Sequence, residues 1–178
     1  MNKHNIDLAT EADVPGLQSV LDQTALFPAA MLPDLLAPFL SDHTTALWLT
    51  CRVGTTPRGF CYAAPEPMTD GTWNLRAIAI TPVHQGQGLG AALVTEMERR
   101  LHDKGQRILI IDTSGTDTFR SVRQFYHNLG YREEARLADF WAAGDDRVTF
   151  VKRLPPRSPR LREQPVRAGR LHSRNGLC

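Results

Sequence analysis

Between Leu75 and Leu93 the chain reads Leu-Arg-Ala-Ile-Ala-Ile-Thr-Pro-Val-His-Gln-Gly-Gln-Gly-Leu-Gly-Ala-Ala-Leu, and no other stretch constrains the fold as strongly. Leu75 to Thr81 is a short apolar run closed by Pro82, which has no N–H for a sheet ladder; it predicts a buried strand. Leu89, Leu93, Met97 and Leu101 then recur at helical spacing, with Glu96, Glu98, Arg99 and Arg100 on the other faces and Gly105 as a stop. Glycines at 86, 88 and 90 fill the turn between. Such a turn leaves backbone N–H groups free and admits a close ligand at the positive end of a helix dipole, which is how backbone binds phosphate.

The kind of phosphate loop is narrowed by what the turn lacks. Without Gly-Lys-Ser/Thr it is not a P-loop, and G-x-G-x-G is not the dinucleotide fingerprint G-x-G-x-x-G. Asp112 ends the next strand, 22 residues after Gly90, and so imitates the acid of nucleotide-binding folds. A methyltransferase using S-adenosylmethionine would share the glycines and the later acid. Its Asp/Glu-x-Gly opening is missing, and an antiparallel meander precedes the loop. What remains is Gln85-x-x-Gly88-x-Gly90.

The rest of the chain supplies a mixed sheet flanked by helices, an α/β layout. Asn5 to Ala9 predicts a strand. Asp13 is the expected cap of a helix carrying Val14, Leu17, Val20 and Leu21, and a second helix runs from Pro33 to Leu40. Thr45–Val53 and Gly59–Ala64 form a hairpin about the turn 54–57, and Trp73–Thr81 completes the meander. After the glycine loop and its helix, Arg107–Asp112 predicts a strand parallel to the one before the loop, since a helix crosses between them. A helix bearing Phe119, Val122, Phe125, Tyr126 and Leu129 follows, ended by Gly130. Tyr131–Phe140 and Arg147–Leu154 are the last strands, with a loop over 141–146. The order is β-α-α-β-β-β-α-β-α-β-β, and no internal repeat is evident.

Composition bounds the class. The 178 residues are 42% hydrophobic and 22% charged, ordinary for one soluble domain with a sizeable core. No apolar run approaches the roughly 20 residues of a membrane helix, and the N-terminus lacks the apolar core of a secretory leader. Cys51, Cys61 and Cys178 have no metal spacing, so reduced thiols in a cytoplasm are expected, with no metal and no membrane partner. Residues 155–178 hold six arginines against Glu163 alone, hence +5, whereas 1–154 carries −3. The expectation is therefore a single domain over 1–154 and a poorly ordered Pro/Arg-rich tail. The tail has no aromatic side chain for base stacking, so no nucleic-acid partner is expected.

The motif Gln85-x-x-Gly88-x-Gly90 resembles the Q/R-x-x-G-x-G/A motif of the Gcn5-related N-acetyltransferases, the GNAT superfamily. Phe125-Tyr126-His127-Asn128-Leu129-Gly130-Tyr131 is similar to that family's F-Y-x-x-L-G-F/Y, and the element order matches it from residue 5 to 154. Ala138 to Val148 and Thr24-Ala-Leu-Phe-Pro resemble one bacterial branch of the family. The resemblance implies the acyl-CoA N-acyltransferase fold and acetyl-CoA as acetyl donor, used without a metal. Amides around Gln85, Gly86, Gln87, Gly88, Leu89, Gly90 and Ala91 would hold its pyrophosphate. Pantetheine would run along Ile78, Ala79 and Ile80, with the backbone N–H of Ile78 or Ile80 polarising the thioester carbonyl. Phe119 stands where many members have Asn, which leaves their usual pantetheine contact missing or supplied otherwise.

Acyl transfer to an amine also needs a proton for the leaving thiolate and a neutral nucleophile. The resemblance makes Tyr126 the general acid. Its phenol (ordinary pKa about 10) must yield a proton to a thiolate of about 8.5, slightly uphill, so positioning must help. Asp112 is the candidate base, acting through water; Glu66 is a weaker one, and His84 reads as a solvated loop residue. Phe27, Phe140 and Trp141 would wall the acceptor, with Asp139, Asp145 and Asp146 nearby. The implied acceptor is a small-molecule or peptide amine. Dimers are common in the family, and the oligomeric state stays open. The alternative is a non-catalytic acetyl-CoA sensor or partner-binding module on the same fold.

Overall fold

A computed structural model describes residues 5–156. The chain runs β1 (Asn5–Leu8), α1 (Val14–Thr24), α2 (Leu32–Leu40), β2 (Leu47–Val53), β3 (Thr56–Pro65), β4 (Thr72–Ile80), α3 (Leu89–Asp103), β5 (Ile108–Ser114), α4 (Arg120–Asn128), β6 (Arg132–Ala142) and β7 (Asp145–Arg153). This is the expected order. The strands form one seven-stranded sheet, β1-β2-β3-β4-β5-β7-β6. Every neighbouring pair is antiparallel except β4 with β5, the parallel pair that a crossover through α3 requires.

Strand alternation sorts the side chains into two cores. On one face Leu49, Cys61, Ile80, Leu109, Ile111, Val148 and Phe150 pack with Leu93, Val94 and Met97 of α3 and Tyr126 of α4. On the other, Trp48, Phe60 and Ala79 pack with Leu17, Val20 and Leu21 of α1 and Leu32 and Leu36 of α2. A bulge in β4 reconciles its two halves. Tyr62 faces Ala77 but Ala63 faces Leu75, leaving Arg76 extra. Because of that one residue, Trp73 and Leu75 enter the same core as Ile80, while Ala77 and Ala79 turn to α1 and α2.

Three local expectations change. The hairpin turn between β2 and β3 contracts to Gly54 and Thr55, since Val53 pairs with Thr56 and Gly54 takes φ 62°. The loop expected over 141–146 contracts likewise: Ala142 pairs with Asp145, Gly144 takes φ 79°, and Trp141 belongs to β6. Asp13 sits at the start of α1 but does not cap it. Its carboxylate turns back to Thr10 N (2.8 Å) and Arg52 Nε (2.8 Å), tying α1 to β2. The expected tail lies outside the described residues from 157 onward. β7 is followed by Leu154, which is buried and whose N–H reaches Arg107 O at 2.8 Å.

Candidate functional site

β4 and β5 pair only over Thr72–Asn74 and Ile108–Ile110. Beyond that register they diverge. β5 continues to Ser114 on β7, and β4 continues to Ile80 on β3. The sheet is therefore split between Leu75–Ile80 and Ile111–Ser114. Of the residues expected to guide a ligand along β4, Ile78 is half-buried, whereas Ala79 and Ile80 are buried.

The glycine loop closes one end of this split. Pro82–His84 makes a single tight turn after Thr81, whose hydroxyl meets His84 Nδ1 at 3.0 Å. Gln85 Nε2 donates back to Ile80 O (3.0 Å) and Gln87 Nε2 to Val83 O (2.9 Å), so both glutamines brace the loop. Gly86 and Gly88 take φ of 72° and 85°, which side chains disfavour, and a Cβ at either would meet nothing within 4 Å. Among the described residues the backbone N–H groups from Gly86 to Ala91 find no acceptor; the helical ladder starts at Ala92 N to Gly88 O. No acid occupies the first turn of α3. Open space, free donors and the positive end of a 15-residue helix fit a pyrophosphate.

α4 forms the adjoining wall. Arg123 clamps it to the tip of β5 by donating to Ser114 O (2.8 Å) and Thr116 O (2.7 Å). Phe125 lies over Gly90, where a Cβ would stand 3.5 Å from the ring. Tyr126 is buried on the α3 side, its ring 5.7 Å from that of Phe150 and 6.0 Å from that of Tyr131. Its hydroxyl makes no hydrogen bond among the described residues, whereas that of Tyr131 donates to Glu98 Oε1 at 2.9 Å. Burial, with the nearby Cys61 thiol, pushes the Tyr126 phenol above its ordinary range. Phe119 precedes α4 and is exposed.

Asp112 lies on the opposite face of the sheet. Leu109 and Ile111 point into the α3-side core, so Ile110 and Asp112 point away from it. Asp112 accepts from Thr149 Oγ1 at 2.5 Å and from Asn74 Nδ2 at 3.3 Å, the latter reaching across the point where the strands part. Arg147 Nε stands 3.8 Å from Asp112 Oδ1, and the guanidinium lies 4.3 Å from the centre of the Phe140 ring. Trp141 packs edge-on to Phe140 and points its indole N–H at Thr113 O, 3.4 Å away. Phe27 lies on this face too, edge-on to Phe60 at 6.3 Å. The structure thus brings Phe140 and Trp141 to the tip of β5 and places Tyr126 and Asp112 on either face of the split sheet. Glu66 is 3.8 Å from Arg76.

The acids of the β6–β7 hairpin are occupied. Asp139 accepts from Gly144 N (2.6 Å), Asp145 from Ser114 Oγ (2.6 Å), and Asp146 from Asp139 N (3.2 Å) and Arg136 (3.3 Å). Asn74, Arg147 and Thr149 escaped sequence reasoning. Their alternation was visible in β7, but only the Asp112–Thr149 register shows which strand they face. Two shallow hollows of about 490 and 440 Å³ lie away from the loop, one against the start of β5 and the other against the Gly130 turn and the end of β7. Among the described residues no group of three His, Cys, Asp or Glu could hold a metal, and no helix is long and apolar enough to cross a membrane.

A family model described as an acetyltransferase (GNAT) domain matches residues 45–133, half of the chain. The match runs from the meander through the glycine loop to the start of β6. A GNAT-family protein from Desulfovibrio desulfuricans is 26% identical, with a TM-score of 0.78 over 85% of this chain and 99% of its own. A ribosomal-protein-alanine N-acetyltransferase from Brucella melitensis is 17% identical (TM-score 0.70, covering 84% and 99%). An aminoglycoside 6'-N-acetyltransferase complexed with coenzyme A is 16% identical (TM-score 0.71, covering 86% and 99%). The last two likenesses carry the fold alone. No curated protein matches the sequence.

Proposed function

The chain belongs to the GNAT acetyltransferases, and from that premise we propose that it transfers an acetyl group from acetyl-CoA to the primary amine of a small molecule or an amino terminus. One observation carries the reading: the split between β4 and β5 ends at a loop whose amides from Gly86 to Ala91 find no acceptor among the described residues, next to the helix that carries a buried tyrosine whose hydroxyl finds none there either. Acetyl-CoA, when bound, supplies the thioester. The loop amides hold its pyrophosphate, and Ile78, Ala79 and Ile80 lend the unpaired edge of β4 to its pantetheine arm. A backbone N–H of that edge polarises the carbonyl.

The amine approaches from the α1–α2 face, walled by Phe27, Phe140 and Trp141. Asp112 takes its proton through water. The new N–C bond forms as the C–S bond breaks, and the Tyr126 hydroxyl gives its proton to the departing sulfur. Burial keeps the hydroxyl protonated but also raises the phenol, which makes the transfer more uphill, so its placement against the departing sulfur must carry the step. Release of free thiol from acetyl-CoA with a panel of amines tests the reading. Turnover with wild type and about a 100-fold or greater loss in Tyr126→Phe supports it. Thermal stabilisation by acetyl-CoA without turnover of any amine would replace it with the sensor reading.

A further inference from the structure

We infer that Arg147 reads a carboxylate on the acceptor, so that the amine taken by this site belongs to a free amino acid or another small amino carboxylate. This rests on the acetyltransferase reading above. The guanidinium is held without being satisfied. Phe140 covers one face, and Asp112 stands 3.8 Å from Nε, beyond hydrogen-bond reach. Nε is buried without a partner, and no other nitrogen of Arg147 donates a hydrogen bond among the described residues. A stacked, oriented fork with its donors free is prepared for a planar oxyanion.

The neighbouring charges sharpen this. Of the arginines around the tip of β5 and the hairpin, Arg123 is spent on the carbonyls of Ser114 and Thr116 and Arg136 on Glu133 and Asp146. Of the hairpin acids Asp146 is paired with Arg136, while Asp139 and Asp145 are held by neutral donors, the Gly144 N–H and the Ser114 hydroxyl. Where the strands part, one cation stands beside one anion on the same face, Arg147 and Asp112. That pair is complementary to an amino acid lying antiparallel to it, carboxylate on Arg147 and amine toward Asp112 and the split. A peptide's amino terminus lacks the carboxylate, and a polyamine or aminoglycoside would set positive charge against Arg147.

Thiol release from acetyl-CoA is measured with matched pairs, each amino acid against its own amide, and with spermidine and an aminoglycoside, rates being compared per neutral amine. The acid should exceed its amide by about 10–100-fold in kcat/KM, the range for hydrogen bonds to a charged group. Arg147→Gln should bring that ratio toward one. Arg147→Lys, which keeps the charge and loses the fork, should give an intermediate ratio. Equal use of acid and amide by wild type, preference for the polycations, or an unchanged ratio in Arg147→Gln overturns the inference while leaving the acetyltransferase reading intact. No thiol release with any amine, in protein that acetyl-CoA still stabilises, overturns that reading and the inference with it.

Discussion

The two sides of the β4–β5 split are made of different material. The loop side is backbone: free N–H groups from Gly86 to Ala91, two left-handed glycines and a helix terminus, with the glutamine side chains serving only as braces. The opposite side is side chains from three strands, Asn74, Asp112, Thr149 and Arg147, roofed by Phe140 from a fourth. A surface of backbone donors should be indifferent to most side-chain changes and sensitive to dihedral angles. A surface of side chains should behave the other way round. One fold can thus keep its donor while changing its acceptor.

The largest effect should come from the residue between the two. Tyr126→Phe keeps the ring among Phe125, Tyr131 and Phe150 and removes only the proton donor. The kcat should fall about 10²–10⁴-fold with little change in KM for acetyl-CoA. Its phenol is raised, so Tyr126 should contribute no basic limb to the rate profile below pH of about 10. A loss shared between kcat and acetyl-CoA affinity would make it a packing residue instead.

On the loop side, Gly88→Val forces a β-branched residue to φ 85°. The strain of about 1–2 kcal/mol, with misaligned amides, should weaken acetyl-CoA about 30-fold. Ligand at 100 times the wild-type dissociation constant should then add under about 1 kcal/mol instead of about 2.7. Gln87→Ala, losing only a brace, should keep nearly the full melting shift. On the other side, Asp112→Asn, which removes the base as well as the anionic partner of Thr149 and Asn74, should lower kcat/KM for the amine about 10–100-fold, chiefly through kcat, with the acetyl-CoA melting shift retained. If Gln87→Ala abolished donor binding, or Asp112→Asn did, the division between backbone and side chains would be wrong.

The same division explains what could be read from the sequence. Glycines, a proline stop and a 3.6-residue period are local, so the strand, loop and helix from Leu75 to Leu101 were legible, as was the element order. The helix that carries Tyr126 was legible because its motif is contiguous. The acceptor side was only half legible. Asp112, Phe140 and Trp141 could be named, but Trp141 was assigned to a loop because nothing in the sequence announced that Ala142 would pair with Asp145. Arg147 and Thr149 were invisible because their meaning depends on a register between strands that α4 and β6 separate in sequence.

The smallest expected effect tests whether the acceptor side depends on the layer beneath it. Asp13 and Arg52 pin α1 to β2, and α1 and α2 cover the face on which Phe27 lies. Burial alone would raise the Asp13 carboxyl, but the hydrogen bonds from Arg52 and Thr10 outweigh it and hold the group below its ordinary value. A depressed carboxylate stabilises the fold fully above its unfolded pKa of about 3.9 and loses that contribution as pH falls through the folded value. Asp13→Asn, which keeps the shape and loses the charge, should therefore cost about 1 kcal/mol, roughly 2–4 °C in melting temperature. The deficit should be constant from about pH 8 to 5 and shrink below about pH 4, as wild type becomes protonated. A deficit undiminished at pH 3 would assign the effect to packing. One that grew on acidification would mean that the ion pair opposes the fold.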